Sequence, residues 1–269
     1  MAKVAESFEQ TLRQKFAEFV TKRNAGVSSV IDTLQTMRMR GWTAFVFGGI
    51  PRGVFDDGRR HQPRDLDLVF DDEHFVYFES AFEHCLQRKN SYGGLRLRIN
   101  NMVVDAWPLS GTWAFREGLV KHPSFENLPS TTFLNIDGVI VEAVVPPFKK
   151  RRVYEAGFFT GWNERTLDIN LMENPHPGIC VARTLHISKR YGFKVSHRLA
   201  MYLLQILTTR SVREIESAQA SHYGRVEFDL DHLGRIRQRL EKHLNSSSLF
   251  PFALFALPTV QGELHLKAG

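Results

Sequence analysis

Hydrophobic positions along the chain change their spacing near its middle, from a mixture of helical and strand periods to helical periods alone. Apolar residues at helical spacing predict two amphipathic helices before Gly41, over residues 5–23 and from Val27 to Met37. A third helix is predicted from Phe75 to Leu86. Alternating or continuous apolar runs predict strands over residues 45–47, 65–70, 95–99 and 102–107.

Helical periodicity dominates from about Leu167 onward. The predicted helices cover residues 182–191, 196–208 and 230–244. A proline pair followed by a basic run, residues 146–152, marks the expected boundary. We therefore expect an α+β domain over residues 1–145, with a mixed or antiparallel sheet and N-terminal helices, followed by a small and mainly helical domain over residues 146–269.

One further strand pair is predicted late in the first domain. Phe133–Ile136 and Val139–Glu142 are apolar runs separated by Asp137 and Gly138. Asp-Gly between two such runs is typical of a tight hairpin turn. The pattern predicts a hairpin here.

Composition narrows the class of protein. The chain has 269 residues, 43% hydrophobic and 24% charged, which is typical of a soluble globular protein. Its formal net charge of +6 suits a polyanionic partner such as a nucleic acid. Two distant cysteines, Cys85 and Cys180, argue against a zinc module or a disulfide scaffold and favour the cytoplasm. The sequence contains neither an apolar signal core nor a run long enough to span a membrane.

Two carboxylates on one strand carry the first chemical signal. Asp65 and Asp67 alternate with Leu66 and Leu68, so both acids point to one face of the strand. Like charges this close repel each other unless a cation lies between them, and Mg²⁺ prefers sparse carboxylate sites. The other reading of this motif is a solvated strand edge or a helix cap.

A third acid, Asp105, lies in the predicted strand 102–107. If this strand pairs beside the strand that carries Asp65 and Asp67, three carboxylates converge on one edge of the sheet. Three acids around two metal ions are the equipment for in-line phosphoryl or nucleotidyl transfer.

These motifs resemble the nucleotidyltransferase superfamily that includes DNA polymerase beta, and especially the head and neck of CCA-adding enzymes and bacterial poly(A) polymerases. The family pattern is Gly-Gly-x-x-Arg, then Asp-x-Asp, then a third Asp on a later strand. The matching residues here are Gly48, Gly49, Arg52, Asp65, Asp67 and Asp105.

The resemblance implies a role for each of these residues. Gly48 and Gly49 would let the backbone approach the triphosphate of an NTP, and Arg52 would contact its phosphates. Asp65, Asp67 and Asp105 would bind two Mg²⁺ ions, for which Mn²⁺ is a substitute.

A second segment, residues 177–193, is similar to the family's neck helix. Arg183 and Arg190 match neck arginines and lie two helical turns apart, so they share a face that could contact the nucleotide or the acceptor. A solvated basic face is the alternative for these two residues. The chain departs from the family at Gly53, where an Asp is usual, and at Cys180 and His186, where arginines are usual.

The expected function is template-independent transfer of a nucleotide to an RNA 3′ end, with tRNA as one candidate acceptor. The segment after Phe193 is short beside the body and tail of CCA-adding enzymes, which favours a compact enzyme. Two alternatives stay open: a toxin-, antitoxin- or defence-type enzyme that modifies a protein hydroxyl, and an inactive relative that binds nucleotide or RNA. The sequence leaves the NTP and the oligomeric state open.

Overall fold

The computed structural model describes residues 2–21, 25–39, 41–58, 61–99, 102–146, 148–246 and 248–255. The chain forms two compact units. Unit 1 comprises Met1–Asn163 and Ile169–Glu173, and unit 2 comprises Glu164–Asp168 and Asn174–Gly269. The boundary expected after residue 145 falls inside unit 1, and the chain passes from one unit to the other three times.

A seven-stranded sheet organises unit 1. Its strands are β1 (Ala44–Phe47), β2 (Asp65–Phe70), β3 (Leu86–Lys89), β4 (Leu95–Ile99), β5 (Met102–Pro108), β6 (Val139–Glu142) and β7 (Val153–Glu155). The spatial order is β3-β4-β5-β2-β1-β6-β7. Neighbouring strands are antiparallel except β2 and β5, which are parallel. The predicted α+β class with a mixed sheet is confirmed.

Helices of unit 1 pack against this sheet, and one of them, the helix that carries Phe115, packs on Phe45 and Val69. They are α1 (Ala2–Thr21), α2 (Ala25–Met39), α3 (Gly49–Asp57), α4 (Asp72–Ala81), the short α5 (Trp113–Arg116) and α6 (Phe158–Glu164), whose last residue enters unit 2. Phe78 of α4 packs on Phe70 of β2 with ring centroids 4.4 Å apart. Leu66, Leu68 and Phe70 are buried on the face covered by α4, so the alternate positions of β2 project to the opposite face.

One predicted helix of unit 1 is confirmed but ends earlier than predicted, and one predicted hairpin is wrong. The third predicted helix ends at Ala81, and a 3₁₀ turn at Glu83–Cys85 leads into β3 at Leu86. The predicted hairpin around Asp137 does not form, because Asn135–Asp137 is a 3₁₀ turn and β6 pairs with β1 and β7 instead. Asp137 is only 5% exposed, and its carboxylate forms an ion pair with Arg52, so it does not project from a solvated turn.

Unit 2 is mainly helical, as predicted. It contains α7 (Pro177–Tyr191), α8 (His197–Thr209), α9 (Val212–Tyr223) and α10 (Leu230–Asn245), with two short parallel strands, β8 (Thr166–Leu167) and β9 (Lys194–Val195). Ser196, Ser211 and Asp229 cap α8, α9 and α10 by accepting hydrogen bonds from backbone N–H groups of the first turn. Within the described ranges, no helix has the length and apolar character needed to cross a membrane.

Candidate functional site

The three acids singled out in the sequence lie on one face of two neighbouring strands. β5 pairs with β2 in parallel register, with Asp105 directly opposite Asp67. Asp65 is two positions from Asp67 and therefore shares its face. All three residues are half-buried, between buried neighbours that point to the face covered by α4. The expected pairing of these two strands is confirmed.

Arginines contact two of the acids. Arg64 Nη2 lies 3.0 Å from Asp65 Oδ2, and Arg96 Nη2 lies 3.5 Å from Asp105 Oδ2. Burial raises the pKa of Asp105 above its ordinary value; Arg96 opposes this shift and the negative charge of Asp65 adds to it. The carboxylates of Asp65 and Asp105 therefore lie within electrostatic range of each other.

A tight turn connects β1 to α3 beside these acids. Phe47, the last residue of β1, pairs with Asp67. Gly48 follows with a φ of 71°, in the left-handed region that favours glycine. A Cβ atom at Gly48 would collide with Asp67 Oδ2. The backbone of the turn therefore packs directly against the carboxylate of Asp67.

Helix α3 begins at Gly49, immediately after this turn. The first N–H groups of a helix have no intrahelical acceptors, and together with the helix dipole they favour an anion. Because Gly48 contacts Asp67, this N-terminus lies next to the acids. An anion-binding element and a set of cation-binding oxygens thus adjoin each other at one end of β1 and β2.

Arg52 lies in the first turn of α3 and is held by Asp137 through its Nη1 atom. The side chains of both residues are largely buried, 15% and 8% exposed. The Nη2 atom of Arg52 lies 3.9 Å from the position that a Cβ would occupy at Gly49, so this end of the guanidinium is near the start of the helix. Contact between Arg52 and phosphate stays a prediction.

The departure from the family pattern at Gly53 has a local explanation. A Cβ atom at Gly53 would collide with the imidazole of His61. The ring centroid of His61 also lies 6.2 Å from that of Phe19 in α1. His61 thus occupies the space that a side chain at position 53 would need.

The acids suit a divalent cation by chemistry and backbone placement, since three carboxylates on adjacent strands are ligands that Mg²⁺ prefers. In their present arrangement, no three His, Cys, Asp or Glu side chains of the described residues are gathered closely enough to hold a metal ion. Arg64 and Arg96 contact two of the three carboxylates.

Arg183 and Arg190 both lie on α7 in unit 2, and their predicted contacts with nucleotide or acceptor stay predictions. Arg190 is exposed and its guanidinium lies over the Tyr191 ring, 5.2 Å from the centroid. His186, on the same helix, lies with its Nδ1 atom 3.0 Å from Glu227 Oε2, and burial lowers its pKa. Cys180 is buried in the core of this unit.

Sequence reasoning missed Arg96 and Asp137. Arg96 occupies an exposed position of an alternating strand, and only its register places it opposite Asp105. The Asp137-Gly138 pair predicts a solvated hairpin turn, whereas in the structure Asp137 is buried and forms an ion pair with Arg52. The partner of Asp137 is distant in sequence, so no local pattern could have identified it. Arg96 and Asp105 lie on consecutive antiparallel strands, so a hairpin register would have paired them.

Comparison with known proteins finds similarity in structure only. No model of a known protein family matches the sequence, and no curated protein matches it. The Thermotoga maritima CCA-adding enzyme in complex with tRNA superposes with a TM-score of 0.61 at 13% identity, over 88% of this chain and 56% of that chain. A CCA-adding enzyme in complex with CTP gives a TM-score of 0.60 at 14% identity, over 90% of this chain and 57% of the other.

A tRNA nucleotidyltransferase complexed with a primer tRNA and an ATP analogue gives a TM-score of 0.53 at 15% identity, over 78% of this chain and 60% of that one. At identities this low, the superpositions establish a shared fold and nothing finer. The resemblance to CCA-adding enzymes predicted from the motifs is confirmed at that level, and these structural neighbours belong to an enzyme class, the tRNA nucleotidyltransferases. The chain spans somewhat more than half of their length.

Proposed function

We propose that this protein is a metal-dependent, template-independent nucleotidyltransferase that transfers a nucleoside monophosphate from an NTP to an RNA 3′ end. The observation that carries the proposal is the junction of the α3 N-terminus with the three acids, where Gly48 packs against Asp67. An NTP bound to divalent cations presents both charges that such a junction accommodates, anionic phosphates and the cations on them.

The chain's own groups have distinct tasks in this reaction. The backbone at Gly48 and Gly49 and the guanidinium of Arg52 bind and orient the triphosphate. Asp65, Asp67 and Asp105 would hold two Mg²⁺ ions, or Mn²⁺ in their place, which neutralise phosphate charge and lower the pKa of an attacking hydroxyl when bound. In the reaction the acceptor hydroxyl releases its proton to solvent and its oxygen bonds to the α-phosphorus. The bond from that phosphorus to the bridging oxygen breaks, and pyrophosphate leaves in line with the attack.

RNA is the acceptor that the observations favour, with tRNA as one candidate. Two of the structural neighbours were solved with tRNA, and the chain carries an excess of six positive charges. In this proposal Arg183 and Arg190 of α7 contact the nucleotide or the RNA. A protein hydroxyl as acceptor needs the same chemistry but gives a different labelled product.

The test is transfer of label from each α-³²P NTP to total RNA in the presence of Mg²⁺. The double variant Asp65→Asn/Asp67→Asn should lose at least about 10²-fold in rate, the order expected when charge stabilisation at a reacting phosphate is removed. The matched control is Glu73→Gln/Glu83→Gln, which removes two exposed carboxylates of the same unit. Undiminished transfer by the aspartate variant would overturn the site, and label in protein would overturn the RNA acceptor.

A further inference from the structure

The acids are the inner half of a row of charged residues that runs across four strands. Asp67 of β2 lies opposite Asp105 of β5, and Asp105 lies opposite Arg96 of β4. Arg96 in turn lies opposite Arg88 of β3, the strand at the edge of the sheet. Residues directly opposite each other project to the same face. Two arginines therefore continue the row that begins with two acids.

A third arginine lies on the same face. Arg98 is two positions from Arg96, and β4 alternates between buried leucine or isoleucine and exposed arginine. Arg98 lies opposite Val103, which lies opposite Asp65. We call Arg88, Arg96 and Arg98 the arginine strip. All three residues are exposed, and the strip borders the acids on the side of the sheet away from β1.

The arrangement of the strip carries an energetic cost. Arg88 and Arg96 form a directly opposed pair of like charges, which destabilises a sheet. Asp105 approaches Arg96 on its other side, at 3.5 Å. An anion bound across the strip would offset the remaining repulsion, and arginine is the residue best suited to phosphate because its planar fork donates two parallel hydrogen bonds.

The distance from the acids on β2 to the far end of the arginine strip on β3 indicates the kind of anion that could bind there. Neighbouring strands are about 4.8 Å apart, so β3 lies about 14 Å from β2, three strands away. A triphosphate held at the α3 N-terminus beside β2 does not extend that far. Successive phosphates of a polynucleotide do, and a protein acceptor offers no such series of charges.

We propose that the arginine strip binds the phosphodiester backbone of a single-stranded RNA acceptor and leads its 3′ end to Asp65, Asp67 and Asp105. This inference rests on the proposed function and assigns a surface to its acceptor. Arg88 and Arg98 bind phosphate groups away from the acids, whereas Arg96 faces Asp105 and lies where the strand enters the reaction centre.

Binding is tested first, without any requirement for catalysis. The probe is a fluorescein-labelled single-stranded oligoadenylate, titrated by anisotropy at several salt concentrations in EDTA. The variant Arg88→Gln/Arg98→Gln leaves Arg96 and its contact with Asp105 in place. Each lost phosphate contact lowers the slope of log K against log salt by about 0.7, so the double variant should lower it by about 1.4.

The matched control is Lys149→Gln/Lys150→Gln, which removes the same charge from exposed positions in the connection between β6 and β7. This connection lies at the opposite end of β1 from Asp67, since Glu142 pairs with Phe45 and not with Phe47. It should leave the salt slope unchanged. An unchanged slope in the arginine variant, or an equal decrease in the control, would overturn the inference.

Transfer assays separate this inference from the proposed function. If both hold, Arg88→Gln/Arg98→Gln raises the KM for RNA and leaves the KM for the NTP unchanged. If the wild-type protein transfers no nucleotide but the variant loses RNA binding, the arginine strip is an RNA-binding surface and the proposed transferase function is wrong. If the protein transfers nucleotide to RNA and the variant binds RNA as wild type does, the proposed function holds and the inference about the arginine strip is wrong. A wild-type protein that labels protein instead of RNA would also contradict this inference.

Discussion

Gly48 and Asp67 are in direct contact, with the backbone of the one packed against the carboxylate of the other. The contact joins a helix N-terminus to a carboxylate, so the positions of α3 and of the acids on β2 depend on each other. A side chain at position 48 would force them apart. The glycine pair therefore provides more than a flexible turn, because it fixes the distance between two halves of the proposed site.

Gly48→Ala tests this dependence. Alanine at the φ of 71° and ψ of −135° of Gly48 costs about 1–3 kcal/mol, and the clash displaces Asp67 in addition. A displacement of about 1 Å at a reaction centre can lower the rate about 10²-fold. Urea unfolding and initial transfer rates measure the two effects. Gly41→Ala is the control, because Gly41 has a φ of 91° with open space around it and should show the cost of the backbone alone.

Gly53 and His61 should show coupled effects on stability. Gly53→Ala should lower the free energy of unfolding by about 1–3 kcal/mol, because the new Cβ overpacks against the imidazole. In a His61→Ala background the same change should raise it by about 1 kcal/mol, the usual preference for alanine over glycine within a helix.

Gly234→Ala in α10 provides the comparison, because no atom lies within 4 Å of the Cβ position there. It should be stabilising in both backgrounds. Equal effects of Gly53→Ala with and without His61 would contradict the proposed clash.

Asp137→Ala should leave Arg52 as an unpaired and largely buried charge. Breaking such a pair costs about 3 kcal/mol or more in unfolding free energy. The double variant Arg52→Met/Asp137→Ala should recover part of this loss, because the isolated charge is gone. Glu241→Ala breaks the exposed pair with Arg237 in α10 and should cost no more than about 0.5 kcal/mol. Chemical denaturation measures wild type and the three variants, and a double variant less stable than Asp137→Ala would count against the pair.

Asp105 makes the stability of the metal-free protein depend on pH. Burial raises the pKa of its carboxyl in the folded state, so the unfolded chain ionises at lower pH than the folded one. The stability associated with the neutral acid is therefore present below the unfolded pKa, about 3.9, and is lost as pH rises through the raised folded value.

Asp105→Asn should become increasingly more stable than wild type as pH rises across this interval. Urea titrations in EDTA at a series of pH values measure the difference. A difference that is constant with pH would show that the Asp105 carboxyl ionises alike in both states.

The elements predicted correctly are those with strong local signals. α1 and α10 have continuous amphipathic patterns, and β2 and β4 alternate regularly. The three acids were expected to converge if the strand of Asp105 paired beside the strand of Asp65 and Asp67, and the pairing of β2 with β5 fulfils that condition. The parallel direction and the register of this pairing were not predicted.

The elements that were missed depend on distant contacts. α3 contains two glycines and a proline and resembles a loop in sequence, yet Val54 and Phe55 are buried and hold it in place. α9 buries only Ile215 and Gln219 along its length, so its apolar period is too weak to recognise. Gln219 stabilises this region through hydrogen bonds with the backbone of Phe228, which no sequence period encodes.

The route of the chain between its two units limits how they can be exchanged. Residues 169–173 belong to unit 1 although residues on both sides belong to unit 2, and backbone hydrogen bonds join Asn170 to Phe133 and Leu171 to Thr132. A fragment that ends before residue 164 lacks this returning segment and leaves those carbonyl groups without their donors. Recombination at a single point cannot transplant either unit whole, and circular permutation cannot make either one continuous, because segments of the two units alternate along the chain.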